Sequence, residues 1–264
     1  MIQLKDIGLV FNQGTANENS VFKKLNLSVA KEDFITIIGS NGAGKTTLFN
    51  LLSGNIMPTF GQIFIDGENV TGDPEFKRAK YIGRIFQDPL AGTASNMTLE
   101  DNMTICSKKG FKGLKISLNR QQRQYFKEQL KHLDMGLEDR LKDNVGLLSG
   151  GQRQALTLLM MVLSSPDLVL LDEHTAALDP RNAAIVLELT RRFMGTRNLT
   201  TLMITHNMQH AIEYGNRLLM MDKGEIVIDV RGDEKKNLTV EKLIDMFSKV
   251  RKSDFVNDEA LLSS

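Results

Sequence analysis

The chain has 264 residues, a formal net charge of +1 and 25% charged residues. That length holds one large domain or two modest ones with a well-filled core, and the near-neutral balance supplies no global field toward nucleic acid or a membrane surface. A single cysteine, Cys106, excludes an intramolecular disulfide framework and reads as a buried thiol in a reducing compartment.

No signal-peptide pattern opens the chain. The longest apolar run, Leu158 to Leu163, falls far short of the ~20 residues of a membrane span, so a cytosolic protein is expected. Ile2, Leu4, Ile7, Leu9 and Phe11 alternate, with one slip, as a half-buried strand, and Asn12 to Ser20 reads as a polar loop. Val21 to Val29 resumes the alternation. It leads into Phe34-Ile35-Thr36-Ile37-Ile38, nearly continuous apolar and β-branched, the pattern of a strand buried on both faces.

Gly39-Ser40-Asn41-Gly42-Ala43-Gly44-Lys45-Thr46 follows, with Thr47 behind it, and fits the phosphate-loop pattern G-x-x-x-x-G-K-[ST] at every constrained position. Thr46 to Ser53 then reads as a helix. Strand, glycine loop and helix are the context this pattern needs. Glycines let the backbone wrap a polyphosphate with its amides pointing inward, and the helix adds the positive end of its dipole. Lys45 is expected on the β- and γ-phosphates and Thr46 on Mg²⁺ through its hydroxyl. These residues point to a nucleoside-triphosphate site.

Gly61 to Asp66 and Tyr81 to Phe86 read as further strands. Between Gln87 and Ser149 helical patterns take over, at Thr98–Ser107 and Asn119–Asp134, as in a helical subdomain inserted into an α/β core. The stretch Lys108–Lys127 carries Lys108, Lys109, Lys112, Lys115, Arg120, Arg123 and Lys127 without an acidic residue. It is either a solvated face or a surface drawn to anionic headgroups, and its sparse aromatics argue against nucleic acid.

Leu148-Ser149-Gly150-Gly151-Gln152 opens a helix with Ser149 as N-cap, and the glycine pair uncovers the first-turn amides, which reads as a second phosphate grip. Leu168 to Leu171 is a buried strand that delivers Asp172 to its C-terminal edge as a metal carboxylate. Adjacent strand side chains diverge, so Glu173 is expected to polarise the attacking water. Arg181–Met194 reads as a helix, Thr200–Thr205 as a core strand, and Leu218–Met221 with Ile226–Val230 as a hairpin. Thr239–Val250 reads as an amphipathic helix with Val240, Leu243, Ile244 and Phe247 on one face, followed by a frayed tail.

Taken together, Gly39–Thr46, Leu148–Gln152 and Leu168–Glu173 resemble the ATPase subunit of ATP-binding-cassette (ABC) transporters, a likeness running from about Ile2 to Phe247. The resemblance implies that Gln87 senses metal and γ-phosphate, that the loop Ala177-Leu178-Asp179 lies at a dimer interface, and that His206 contacts the γ-phosphate. It places Phe11 on adenine, for which the ring face suffices; a core role is the alternative. It further implies a head-to-tail dimer in which each ATP is held by one chain's phosphate loop and, in trans, by the other's Ser149, Gly150, Gly151 and Gln152. His174 departs from the family pattern, which has Pro after the catalytic Glu. Two stretches, Phe11–Glu18 and Asp88-Pro89-Leu90-Ala91-Gly92-Thr93, look similar to importers linked to amino-acid uptake, including aromatic ones.

The expected fold is α/β: a P-loop NTPase, RecA-like with an antiparallel β subdomain, plus an inserted α-helical subdomain. Its parts are core 1–90, helical signature subdomain 91–162, core 163–230, and C-terminal helix and tail 231–264. The expected function is the ATP-hydrolysing, Mg²⁺-dependent motor of a membrane transporter at the cytoplasmic face. Its implied partners are a second ATPase subunit, permease subunits and an extracytoplasmic solute-binding protein, with no nucleic acid. The competing readings are a soluble ABC-type ATPase acting on nucleic acid or ribosomes, and an exporter motor.

Overall fold

The computed structural model describes residues 1–107 and 118–250, which divide into two units: Met1–Arg78 with the chain from Leu202 onward, and Ala79–Thr201. The first four lysines of the basic stretch and the tail expected to fray lie outside the described residues.

The first unit opens with β1 (Ile2–Phe11), β2 (Asn19–Val29), β3 (Phe34–Gly39), α1 (Lys45–Ser53), β4 (Phe60–Ile65), β5 (Glu68–Asn69) and α2 (Glu75–Arg78). Four of these strands form an antiparallel sheet in the order β2-β1-β4-β5. Ile2, Leu4, Ile7 and Leu9 turn into the core from β1, and register shifts on either side of Ile7 absorb the slip in their alternation.

The second unit comprises β6 (Ile82–Ile85), α3 (Leu99–Cys106), α4 (Arg120–Lys131), α5 (Gly150–Leu163), β7 (Leu168–Asp172) and α6 (Pro180–Arg197). β6 and β7 pair in parallel, and β7 is buried at all five positions, as its continuous apolar run requires. α3 starts with a full capping box between Thr98 and Asp101. On α4, Arg123 pairs with Glu100 at 2.8 Å and Lys127 with Asp139 at 3.5 Å, so two of the three described basic residues of the stretch face their own unit's acids. Cys106 is half-buried rather than buried.

The chain continues through β8 (Thr200–Ile204), α7 (Met208–Glu213), β9 (Arg217–Asp222), β10 (Glu225–Arg231), α8 (Gly232–Lys236) and α9 (240–250). From Leu202 it belongs again to the first unit, where the strand order is β10-β9-β3-β8, with β3 and β9 parallel and β9-β10 the expected hairpin. On α9 the inward face is Leu243, Met246, Phe247 and Val250, while Ile244 is 48% exposed. A residue step of about 100° carries Ile244 off the stripe that i, i+3/i+4 and i+7 define.

Lys235 on α8 is almost wholly buried, without an ion-paired carboxylate among the described residues; its ammonium donates to the carbonyls of Tyr214 and of Gly215, the latter at 2.9 Å, where α7 ends. Burial pushes its pKa down from 10.5 to about 8. The folded value lies below the unfolded one, so the unfolded chain binds more protons between about pH 8 and 10.5, and stability rises with pH across that window. Relative to Lys235→Met, the wild-type chain should gain up to about 3 kcal/mol in urea-unfolding free energy from pH 7.5 to 10.5. A constant difference between the two proteins would contradict this account.

Candidate functional site

In the first unit β3 delivers the glycine loop to the start of α1. Gly39, Gly42 and Gly44 all have positive φ, at 149°, 81° and 95°, which side chains rarely tolerate. The three differ in what surrounds them. A β-carbon on Gly39 would collide with the Met221 carbonyl of β9, and one on Gly44 would lie 2.7 Å from the Phe22 ring, whereas Gly42 faces open space. Two glycines therefore serve the packing of the loop against its own unit, and Gly42 serves the loop's curvature alone.

Lys45 is buried, and its ammonium spans the loop by donating to the carbonyls of Gly39 at 2.8 Å and Ser40 at 3.0 Å. The Ser40 hydroxyl donates to Asp222 at 2.7 Å, which ties the loop to the end of β9. α1 begins after Gly44 with no capping side chain and no acidic residue in its first turn, so its amides remain an anion-binding terminus. Asn41 and Thr46 are exposed, Ala43 is buried and Thr47 half-buried. Phe11 ends β1 half-buried, neither sealed in the core nor fully exposed, and His206 is exposed just after β8.

In the second unit Asp172 is the last residue of β7 and is mostly buried. Its Oδ2 pairs with the Arg84 guanidinium on β6 at 2.9 Å, both side chains being about nine-tenths covered. Arg84 also lies over the Phe86 ring at 4.8 Å. Sequence reasoning missed Arg84, although a lone arginine inside the apolar run Tyr81 to Phe86 had to find an acidic partner. Glu173 does not continue the strand. It adopts a left-handed φ of 47°, so its divergence from Asp172 comes from a turn, a strained conformation of the kind concentrated at functional sites.

His174 turns inward instead. Its Nε2 lies 3.0 Å from the Thr190 hydroxyl, whose own proton goes to the Val186 carbonyl, so the protonated Nε2 is the donor. Its carbonyl accepts from Gln154 at 2.6 Å. The residue that departs from the family pattern thus anchors the turn carrying Glu173. Gln87 is exposed beyond the end of β6.

Ser149 caps α5 as expected, and Gln152 closes the box by accepting from the Ser149 amide. Arg153 resolves within its own unit, donating to the carbonyls of Val145, Gly146 and Leu148 and clamping the segment before the helix. Asp179 caps α6, and its hydrogen bonds from Asn182 hold its carboxyl below the usual carboxylate range. The two units thus present a phosphate-binding loop on one and a carboxylate pair with a glycine-led helix on the other. Each set is of a kind that phosphoryl transfer uses.

The ABC transporter family pattern matches residues 22–176. The chain is 43% identical to a tyrosine transport ATP-binding protein of Clostridioides difficile over 94% of this chain and 98% of that one. It is 33% identical to a glycine betaine/carnitine/choline transport ATP-binding protein of Bacillus subtilis, over 86% of this chain and 57% of that longer one. Among solved structures, a dimeric ABC transporter cassette superposes with a TM-score of 0.74 at 24% identity, covering 88% of this chain and 98% of that chain. The fold is that of an ABC cassette, and the chain belongs to the ABC transporter family as an ATP-binding motor subunit whose ATPase activity is coupled to transport.

Proposed function

We propose that this chain drives a bacterial importer of a small solute, an amino acid and specifically an aromatic one, as a homodimer bound to permease subunits at the cytoplasmic face of the membrane. An extracytoplasmic solute-binding protein delivers the solute. The near full-length likeness to a tyrosine transport ATP-binding protein carries this reading. The chain itself has no helix long and apolar enough to cross a membrane among its described residues, so the translocation path belongs to its partners.

In this reading Phe11 stacks on adenine, and the backbone of Gly39, Ser40, Asn41, Gly42, Ala43 and Gly44 wraps the phosphates. Lys45 moves from its loop carbonyls to the β- and γ-phosphates. Thr46, Gln87 and Asp172 would hold Mg²⁺, and Thr47 would continue the loop's contact with the nucleotide. The donor chemistry fits: a hydroxyl, an amide oxygen and a carboxylate are hard oxygen donors of the kind Mg²⁺ takes. When bound, Mg²⁺ neutralises charge on the phosphates.

Glu173 orients and polarises the attacking water, and His206 contacts the γ-phosphate. The partner chain contributes the amides and side chains of Ser149, Gly150, Gly151 and Gln152, with Asp179 at the interface. Neither chain completes a site alone, so ATP binding joins them and hydrolysis loosens them.

Mixing experiments test the shared site. A Ser149→Arg chain and a Lys45→Ala chain, each inactive alone, should recover ATPase activity when mixed, because one of the two composite sites then lacks both defects. Mixed dimers that form and stay inactive would refute sharing. For the importer reading, mild-detergent purification of the chain from its own cells should bring down a polytopic membrane protein and a secreted lipoprotein. Ribosomal or DNA-repair partners without a membrane protein would overturn it.

A further inference from the structure

Gly151 has a second duty inside its own chain. A β-carbon there would lie 2.5 Å from both Cγ and Oδ1 of Asn182 and 2.7 Å from its Cβ, whereas one on Gly150 would meet only Leu178 at an ordinary 3.4 Å. Asn182 is already committed on its other side. Its amide N–H donates to Asp179 Oδ1 at 3.1 Å and its side-chain Nδ2 donates to Asp179 Oδ2 at 2.5 Å. One short, planar side chain is thus seated between the second residue of α5 and the N-cap of α6. A residue that only capped α6 would have no need of a glycine on α5.

We propose that Asn182 is a positioning residue for the ATPase: it sets the spacing between Gly151 and Asp179, so that both reach the partner chain in one fixed register. This deepens the composite-site reading above and rests on it. Because Asn182 touches neither nucleotide nor metal in that reading, it acts only through the two groups it holds. Displacements of about 1 Å at such groups cost up to ~10²-fold in positioning, so the effects are expected at the level of ATP-dependent dimerisation.

The test uses the full chain carrying Glu173→Gln and reads the ATP concentration for half-maximal dimerisation by size-exclusion, with a thermal melt for each variant. Gly151→Ala should raise that concentration tenfold or more, on the order expected for such a displacement. Asn182→Gly alone should weaken dimerisation about tenfold, because it removes the donor to Asp179, and on that background Gly151→Ala should cost less than about threefold more, below ~1 kcal/mol. On an Asn182→Ala background Gly151→Ala should keep most of its cost, because the Cβ at 2.7 Å remains. An undiminished further loss from Gly151→Ala on the Asn182→Gly background would overturn the proposal, as would normal dimerisation by Gly151→Ala alone.

Should Gly151→Ala fail to fold, Asn182→Asp answers the question. It preserves size but replaces the donor to Asp179 with a carboxylate, and should weaken ATP-dependent dimerisation about tenfold with an unchanged melting temperature. Unchanged dimerisation would overturn the proposal. A parent Glu173→Gln chain that forms no ATP-dependent dimer marks the separate failure of the composite-site reading itself.

Discussion

Glu173→Gln is expected to leave ATP binding intact while cutting turnover by about 10²-fold or more, the range for removal of a positioned base. The substitution keeps the side chain's size and one carbonyl oxygen, so the turn at φ 47° and its anchor through buried His174 stay as they are. On the proposed reading, what is lost is the charge that draws a proton from the attacking water. With hydrolysis blocked, ATP remains between the two chains, and the variant should run as an ATP-dependent dimer on size-exclusion. Near-normal phosphate release by the variant would remove Glu173 from its role and leave Asp172 and His206 to be tested in turn.

Arg78→Ala is expected to cost about 3–5 kcal/mol of stability, the scale for emptying a large buried site and taking the donor from several interior carbonyls. The Arg78 guanidinium is fully buried and donates to the carbonyls of Leu51 at 2.7 Å, Leu52 at 3.0 Å, Thr71 at 3.0 Å and Asp73 at 2.8 Å. Two of these are carbonyls at the C-terminal end of α1, which helix geometry leaves without intrahelical partners. Desolvation lowers the pKa of Arg78, yet four carbonyl partners hold its charge in place. Gly54, with φ 80° just beyond α1, makes room for it, because a β-carbon there would lie 2.9 Å from the guanidinium Nε. Removal would take the guanidinium from all four carbonyls, leaving Leu51 with the Gly54 amide at 3.3 Å, and the melting temperature should fall by roughly 10 °C. A loss under about 1 kcal/mol would show that water or neighbouring donors replace the guanidinium.

α1 carries Lys45 at its first position and the carbonyls bound by Arg78 in its last turn. Its two ends therefore separate function from stability. Arg78→Ala should lower the unfolding midpoint while leaving the ATP affinity of the remaining folded chain within about threefold of wild type, a difference below ~1 kcal/mol.

Much of this protein was legible from local pattern. The phosphate loop, the signature helix cap at Ser149 and the strand ending on Asp172 each depend on residues a few positions apart, where glycine, capping and periodicity rules act directly. The hairpin β9-β10, the buried run of β3 and the helices α3 to α6 follow for the same reason. The sequence alone determined a nucleotide-binding α/β chain with an inserted helical region, because those features are set by short-range sterics and by which residues must leave water.

Tertiary structure decided what depends on partners far along the chain. Asp172 finds Arg84 from 88 positions away, the end of α1 is closed by Arg78, and Gly39 owes its place to the Met221 carbonyl. Glu173 takes a left-handed turn where strand geometry was expected, and Ile244 leaves the apolar face where Met246 and Val250 join it. Pattern placed Asp172, Gly39, Glu173 and Ile244 on their elements, and only the packed fold determined what each of them meets.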